Sequence, residues 1–388
     1  MGARASRNAE TRGRRSGTAA AVAQYDAGHP EEPLLRSGIV GLAQVGKSTL
    51  FQILTRTHAA GRADAHVGVV RVPDPRLDRL SELFRPQKTI HATVEYVDTP
   101  GSIIDLTRAG LQSQSLRELN ALAHVVRDFE SDSIPAMGGV NAARDIENVE
   151  LELMLSDLAV VEKRVERLEK DVKKQKNPLL EKELQVLNVC KASLEKQIPL
   201  RDASLGAEDE KVIRGFTFLS VKPMLYVLNL GEKDTARANA AEQFAREAGL
   251  KPRPHTAVAA ICGKVESELA ELDESEAAEF LASYGLTESA ISRLIRASYQ
   301  LLGLISFFTV GEDECRAWTV RAGTSALEAA GEIHTDLQRG FIRAEVVKFD
   351  DLIAAGGFAE ARARAQLRLE GKDYVVQDGE IVHIRHSG

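Results

Sequence analysis

Cysteine is scarce: Cys190, Cys262 and Cys315 are the three in 388 residues, and they lie far apart. No Cys-x-x-Cys pair occurs. That argues against a disulfide framework or a zinc site and points to a reducing, cytoplasmic setting. No apolar run reaches about 18 residues, so no membrane-spanning helix is expected. An excess of basic charge is also missing. Lys and Arg number 50 against 57 Asp and Glu, a formal net charge of −7. This argues against broad binding to nucleic acid, and no DNA partner is expected, although a local basic patch is compatible with it. What is present, 44% hydrophobic and 28% charged residues, is the composition of a soluble globular protein long enough for two or three domains.

Residues 1–35 have almost no apolar periodicity and several early arginines. They are expected to be a disordered tail, or a stretch read from a start codon placed too far upstream. Their Arg, Ser and Ala also fit an organelle presequence, but the apolar core of a secretory signal is lacking. Ordered structure is expected from Ser37. "SGIVGL" reads as a strand and "KSTLFQILTRT" as a helix, with a Gly-bracketed loop between them. This is the first unit of a parallel sheet with helices on its faces. "ATVEYVDTPG", "ALAHVVRDFE" and "KPMLYVLNL" supply three further strands.

Residues 141–200 differ. Leu151, Leu155, Leu158, Val161, Val165, Leu168 and Val172 recur at spacings of three and four, as do Leu180, Leu184, Leu187, Leu194 and Ile198, with Glu and Lys between them. Asn177-Pro178 interrupts the pattern. Two apolar stripes joined by a turn predict an antiparallel helical coiled-coil hairpin. Its first arm, about 30 residues, would be about 45 Å long. From Ile305 the pattern turns β-rich, and "DYVVQDGEIVHIRH" reads as two alternating runs around Asp378-Gly379, a hairpin signal. Residues 305–388 are expected to form a small α+β domain.

The strongest chemical signal is Gly41-Leu-Ala-Gln-Val-Gly46-Lys47-Ser48. It has the phosphate-loop spacing and lies between a strand and a helix, as the mechanism requires. The glycines let backbone N–H groups approach phosphate oxygens, and the helix N-terminus adds its field. Lys47 would bridge the terminal phosphates and the Ser48 hydroxyl would bind Mg²⁺. Gln44, Val45 and Thr49 complete this set. Asp98-Thr-Pro-Gly101 follows a strand. Asp98 would hold Mg²⁺ and Gly101 would offer its N–H to the γ-phosphate, opening a mobile switch. Further on, GTPases carry a guanine reader, Asn-Lys-x-Asp; this chain has Asn229, Leu230, Gly231 and Glu232. The reader's Asp accepts from guanine N1–H and the 2-amino group, neither of which adenine has. Glu232 is one methylene longer and would miss that geometry, while Leu230 offers an apolar surface to a purine face.

At this point the chain resembles the YchF/Obg-like ATPases. The resemblance is carried by "GIVGLAQVGKSTLF", "VGVVRVPDPRLDRL", "HVVRDFE", "YVLNLGEKD", "ELAELDESEAAEFL", "RAWTVRAGTSALEAAGEIHTDLQRGFIRAEV" and "LRLEGKDYVVQDGEIVHI". It runs from about Gly38 to the C-terminus. It implies a P-loop NTPase α/β fold over residues 36–140 and 201–304, interrupted by the hairpin, with a C-terminal β-grasp TGS domain over residues 305–388. It also implies ribosome binding, contact with rRNA or tRNA through the TGS domain and hairpin, and hydrolysis of ATP in preference to GTP. Cys262-Gly263-Lys264 falls where the family has its last base-side loop, which makes Cys262 and Gly263 nucleotide-binding candidates. His124 matches a family histidine proposed to aid catalysis; a core histidine on a strand fits the same residue.

The chain departs from the family at its switches. The first switch reads "AAGRADAHVG" and has no Thr at the matching place. The second, "DTPGSIIDLTRAGLQSQS", is shorter and has fewer glycines. Ser102 stands where many GTPases carry Gln. Gln44 replaces an Asn that, in related enzymes, can help bind an activating potassium ion. Binding parts are spared and timing parts are struck, so nucleotide binding should survive and hydrolysis should be slow or absent. A nucleotide-responsive module without turnover, and a GTPase, are the alternatives. Lys173, Lys174 and Lys176 near the hairpin tip form the local basic cluster that could touch RNA phosphate.

Overall fold

A run such as Met224–Leu230, apolar on both faces and buried along its whole length, requires cover on both sides, and the topology supplies it. The computed structural model describes residues 36–55, 66–99, 101–108, 113–132, 138–241, 243, 246, 253, 255–286 and 288–387. The expectation for residues 1–35 falls outside these, as do residues 59–65 of the first switch, read over 59–68, and residues 100 and 109–112 of the second, read over 98–115. Strands run in the order β1 (Arg36–Val40), β2 (His66–Arg71), β3 (Lys88–Ile90), β4 (Thr93–Asp98), β5 (Ala121–Asp128), β6 (Met224–Leu230) and β7 (Thr256–Ile261). The first sheet has the order β2-β4-β1-β5-β6-β7. All neighbours are parallel except β2, which runs antiparallel to β4 at the edge. Because β1 lies between β4 and β5, the loop leaving β1 opens where the chain turns to opposite sides, the usual ligand crevice of such sheets.

Helices α1 (Lys47–Thr55) and α2 (Pro75–Phe84) precede two short ones, α3 (Ile103–Arg108) and α4 (Ser113–Arg117). α5 (Ala142–Lys174) and α6 (Pro178–Glu195) form the hairpin. Asn141 caps α5 by accepting from Arg144 N–H. Asn177 caps α6 by accepting from Leu179 N–H, with Pro178 in the first turn where its missing N–H costs nothing. The predicted stripe needs one correction. The arms interlock through Met154, Val161, Val165 and Leu168 against Val186, Leu187, Cys190 and Leu194. Nearer its start, α5 instead turns Ile146, Val149 and Leu153 onto the first sheet, which leaves Leu151 and Leu155 exposed. One helix serves two cores in succession, and a single periodic stripe cannot describe both.

The second sheet collects β8 (Leu304–Val310), β9 (Glu314–Arg321), β10 (Phe341–Lys348), β11 (Arg368–Glu370) and β12 (Glu380–His386), in the order β11-β10-β12-β8-β9-β3. β3 pairs in parallel with β9, so residues 88–90 close the edge of a sheet built otherwise from the far end of the chain. The helix Ala326–Ile333 covers one face, started by a capping box between Ser325 and Glu328. On the other face Phe308, Ala317, Val347 and Ile381 join the same apolar cluster as Ile39, Leu77 and Tyr96.

The hairpin read at Asp378-Gly379 does not form: before the turn, Val375 bridges Ser325 and Val376 N–H donates to the Thr324 carbonyl, while β12 after it pairs with β10 and β8. Asp378 is drawn into distant bonds: it accepts from Ser306 N–H at 2.9 Å and from the Arg76 guanidinium at 2.7 Å. Arg76 also lies 5.3 Å over the Phe308 ring, so α2 is fastened to the second sheet. No described helix is long and apolar enough to cross a membrane.

Candidate functional site

The loop after β1 adopts the backbone its glycines allow. Gly41 and Gly46 have φ of 151° and 99°. A Cβ on Gly41 would stand 2.5 Å from the Val125 carbonyl oxygen, and one on Gly46 would stand 2.5 Å from Asn229 Nδ2. Both glycines are therefore required by close approach as well as by dihedral. Gln44 takes φ 61° without being glycine.

α1 starts at Lys47, whose ammonium donates to the Leu42 carbonyl at 2.6 Å and the Gly41 carbonyl at 3.3 Å. Burial holds this lysine below its ordinary range, while the nearby Asp98 carboxylate pulls it back up.

The loop forms one wall of a cleft of about 810 Å³. Of the residues singled out in the sequence, Gln44, Gly46, Lys47, Ser48 and Thr49 line it from the loop and α1, and Gly101 lines it from the segment after β4. Asn229, Leu230, Glu232, Cys262 and Gly263 line it from the ends of β6 and β7. Asn229 is the staple. Its Nδ2 donates to the Val45 carbonyl at 3.0 Å, and its Oδ1 accepts from Gly263 N–H at 3.1 Å. One buried amide thereby fixes three loops that are distant in sequence. Leu230 is 2% exposed, packed with Val126, Leu228 and Ala238, so most of its apolar surface faces the core rather than the cleft. Glu232 forms an ion pair with Lys264 across the rim, which raises the lysine's pKa.

Gly41, Val45 and Asp98 stand behind the cleft wall rather than on it. Asp98 ends β4 and is 7% exposed. A Mg²⁺ ion suits the residues here. The serine hydroxyl and carboxylate are hard oxygen donors, and Mg²⁺ is commonly held by one or two carboxylates with phosphates and water filling the rest. No cluster of three or more His, Cys, Asp or Glu occurs among the described residues, so an all-protein cage for a transition metal is not offered there.

His124 is not brought to the cleft. It sits mid-strand in β5, in register with Val40 and Tyr226 and 1% exposed. Its ring meets Tyr226 edge-on at 6.0 Å, and neither ring nitrogen has a hydrogen-bond partner. Strand alternation places it on the same face as Leu122 and Val126, towards α5. Burial first, then the Lys47 and Arg201 charges, push its pKa from 6.5 down to about 3. The imidazole is therefore neutral in the folded protein, while the unfolded chain takes up a proton below about pH 6.5. Stability from this residue is present above that pH and is lost as pH falls towards about 3. His124→Phe is expected to flatten this acid limb by one proton, about 1.4 kcal/mol per pH unit. Urea unfolding across pH 4–6 checks it; superimposable limbs for the two proteins would reject it.

Sequence reading did not assign several lining residues to the site, among them Thr99, Phe129 and Lys264. Thr99 lies within the quoted Asp-Thr-Pro-Gly run, and its hydroxyl donates to the Ile39 carbonyl at 2.5 Å. Phe129 follows the carboxyl end of a parallel strand, which is where such folds place ligand contacts. Lys264 lies in the Cys262-Gly263-Lys264 run singled out by the resemblance, but its pairing with Glu232 shows only in the structure.

Comparison with known proteins gives concordant likenesses. Residues 36–191 match the family model MMR_HSR1, described as 50S ribosome-binding GTPase. Residues 304–387 match YchF-GTPase_C, described as a protein of unknown function (DUF933). The chain is 42% identical over 364 residues to the ribosome-binding ATPase YchF of Bacillus subtilis (strain 168), covering 91% of this chain and 99% of that one. It is 42% identical over 359 residues to the protein of the same name from Escherichia coli O157:H7, covering 90% and 98%. Among solved structures, the Schizosaccharomyces pombe YchF GTPase matches with a TM-score of 0.77 at 29% identity, over 90% of this chain and 97% of that chain.

Proposed function

We propose, from the premise that this chain belongs to the YchF family of ribosome-binding ATPases, that the cleft binds Mg²⁺-ATP, hydrolyses it slowly and governs docking on the ribosome in the cytoplasm. The observation that carries this is the joining of the phosphate loop to the Asn229 and Gly263 loops by one side-chain amide. A phosphate at the first loop and a base at the other two would thereby be held in a fixed relation within a single cleft.

The loop's backbone N–H groups would take the phosphates, with Lys47 moving from its own loop's carbonyls to the terminal oxygens. Ser48 and Asp98 would hold Mg²⁺, which neutralises charge on the phosphate oxygens when bound. At the base, Glu232 is held by Lys264 at the rim. In that position its carboxylate suits an exocyclic amine such as that of adenine; it lacks the Asp geometry a guanine needs. Slow turnover follows from Ser102. Its hydroxyl accepts from Ile104 N–H at 3.3 Å at the start of α3, so the residue after Gly101 is occupied with the backbone and is too short to aim a water.

Competition between ATP and GTP for a labelled nucleotide in the presence of Mg²⁺ tests the reading. ATP should displace the label at lower concentration, and a clear GTP preference would remove Glu232 from its role. Phosphate release that is undetectable with and without ribosomes would favour the turnover-free module.

For docking, we assign RNA contact to the hairpin tip. Lys173, Lys174 and Lys176 are exposed around the turn, and none has an ion pair among the described residues. Replacing all three with Gln should leave folding intact and weaken ribosome binding. The slope of log affinity against log salt should become shallower by about 2 to 3 units. An unchanged slope would mean the tip does not touch phosphate.

A further inference from the structure

The segment that leaves the cleft at Gly101 is tied to the hairpin at both of its ends, and it is also tied to the phosphate loop. At its start, Ile103 N–H donates to the Gly41 carbonyl at 3.1 Å, the same carbonyl that accepts from Lys47 at 3.3 Å. The Ile103 side chain is fully buried in the cluster that holds Ala142, Ile146 and Val149 of α5. At its end, Arg117 closes α4 and reaches α5 again. Its guanidinium donates to Asp157 Oδ1, Ser156 Oγ and the Thr217 carbonyl, each at 3.2 Å.

Asp157 is fully buried. It also accepts from Leu219 N–H at 3.0 Å, and from Ser220 N–H and Oγ at 2.7 Å each. Lys222 completes the joint by donating to the Arg117 and Leu119 carbonyls. Residues 217–222 lead from the hairpin's return into β6, the strand that carries Asn229 near its end. The Arg117–Asp157 pair therefore lies where the segment after Gly101, the first arm of the hairpin and the approach to the base-side loop meet.

We propose that this joint is a coupling element: a change of contacts at Gly41, Lys47 and Gly101 is passed to the base of the hairpin through Ile103 and the Arg117–Asp157 pair. The proposal rests on the reading of the cleft as a nucleotide site. Coupling requires contacts that differ between two states. Here the differing contact is the Gly41 carbonyl, shared between Lys47 and Ile103. Drawing Lys47 to a phosphate leaves Ile103 as its remaining donor, and a shift of Ile103 cannot be absorbed locally because its side chain is packed against α5.

Leu219 and Ser220 report on the joint directly, since their amide hydrogens are held by Asp157. The test is hydrogen exchange on the full chain, with and without a non-hydrolysable ATP analogue and Mg²⁺, alongside calorimetry of the same samples. In the wild type, the bound analogue should change exchange at Leu219, Ser220 and residues 146–157 several-fold. Arg117→Ala should bind the analogue as tightly as the wild type and lose that response. Arg117→Lys keeps a charge beside Asp157 but lacks the fork to Ser156 and Thr217. It should behave in the same way and covers the case in which the alanine variant does not fold. A wild-type response that survives in the variants, or an analogue that binds without moving these amides, would overturn the coupling alone. No heat of binding in any protein would overturn the reading of the cleft and the coupling with it.

Discussion

Replacing Lys47 with Ala is expected to lower ATP turnover by about 10²- to 10³-fold, the cost of removing one preorganised donor from developing charge. Lys47 is 9% exposed, so water cannot easily stand in for it. Its ammonium is already desolvated and disfavoured by burial, and bonds to the Gly41 and Leu42 carbonyls hold it in place. A cation kept poorly solvated interacts more strongly with an arriving phosphate than an exposed one would. The change removes a cation whose burial is costly but also takes a counter-charge from the buried Asp98, so folding is controlled separately. Phosphate release by the purified protein, with and without ribosomes, is the measurement, with thermal melting as a control for folding. Turnover within about tenfold of wild type would mean that the lysine does not serve the transition state.

Glu150→Ala is expected to cost about 3–5 kcal/mol of stability. Glu150, on α5, accepts from the Tyr226 hydroxyl at 2.6 Å and from the Arg201 guanidinium. Arg201 follows α6 and also donates to the Ser220 and Lys222 carbonyls, and its side chain is completely buried. One carboxylate thus ties the outgoing arm of the hairpin, the returning chain and β6 together. Without it, the arginine is a buried charge with no counter-charge at Glu150's position, and the tyrosine hydroxyl loses its acceptor. Urea unfolding should show the loss as a lower midpoint. Pairing Glu150→Met with Arg201→Met should recover most of it, since well-packed apolar replacements for a buried pair are often neutral. A single substitution that costs less than about 1 kcal/mol would show that water reaches the joint and solvates the arginine.

Much of the fold could be read from the chain because its signals are local. The phosphate loop announces itself by glycine spacing and by the strand and helix on either side, and the structure gives it φ values that need those glycines. The order of strands, and the Asn229 loop after the fully buried β6, follow from runs of a few residues. The hairpin's two helices and the turn at Asn177-Pro178 were also legible. What failed did so where one segment serves partners far away. Leu151 and Leu155 fit the heptad stripe but stay exposed, because α5 changes partner from the sheet to α6 along its length. Asp378-Gly379 has ideal turn chemistry, yet Arg76 and Ser306 claim Asp378 for contacts across the molecule. His124 fits a catalytic role by resemblance to a family histidine and a core histidine by its apolar neighbours, and strand parity turns it into the core beside Tyr226.

The sequence by itself determined the glycine-bracketed loop between β1 and α1, the buried strand that carries Asn229, and the presence of a helical insertion, since each depends on dihedral preference or periodicity within a few turns of chain. Tertiary structure alone decided which charges meet: Glu232 with Lys264, Arg117 with Asp157, Glu150 with Arg201. It alone sent residues 88–90 to a sheet made from the other end of the molecule. A sequence records where charges and strands lie along the chain. Which of them become neighbours is set by how the apolar faces between them pack, and that depends on every element at once.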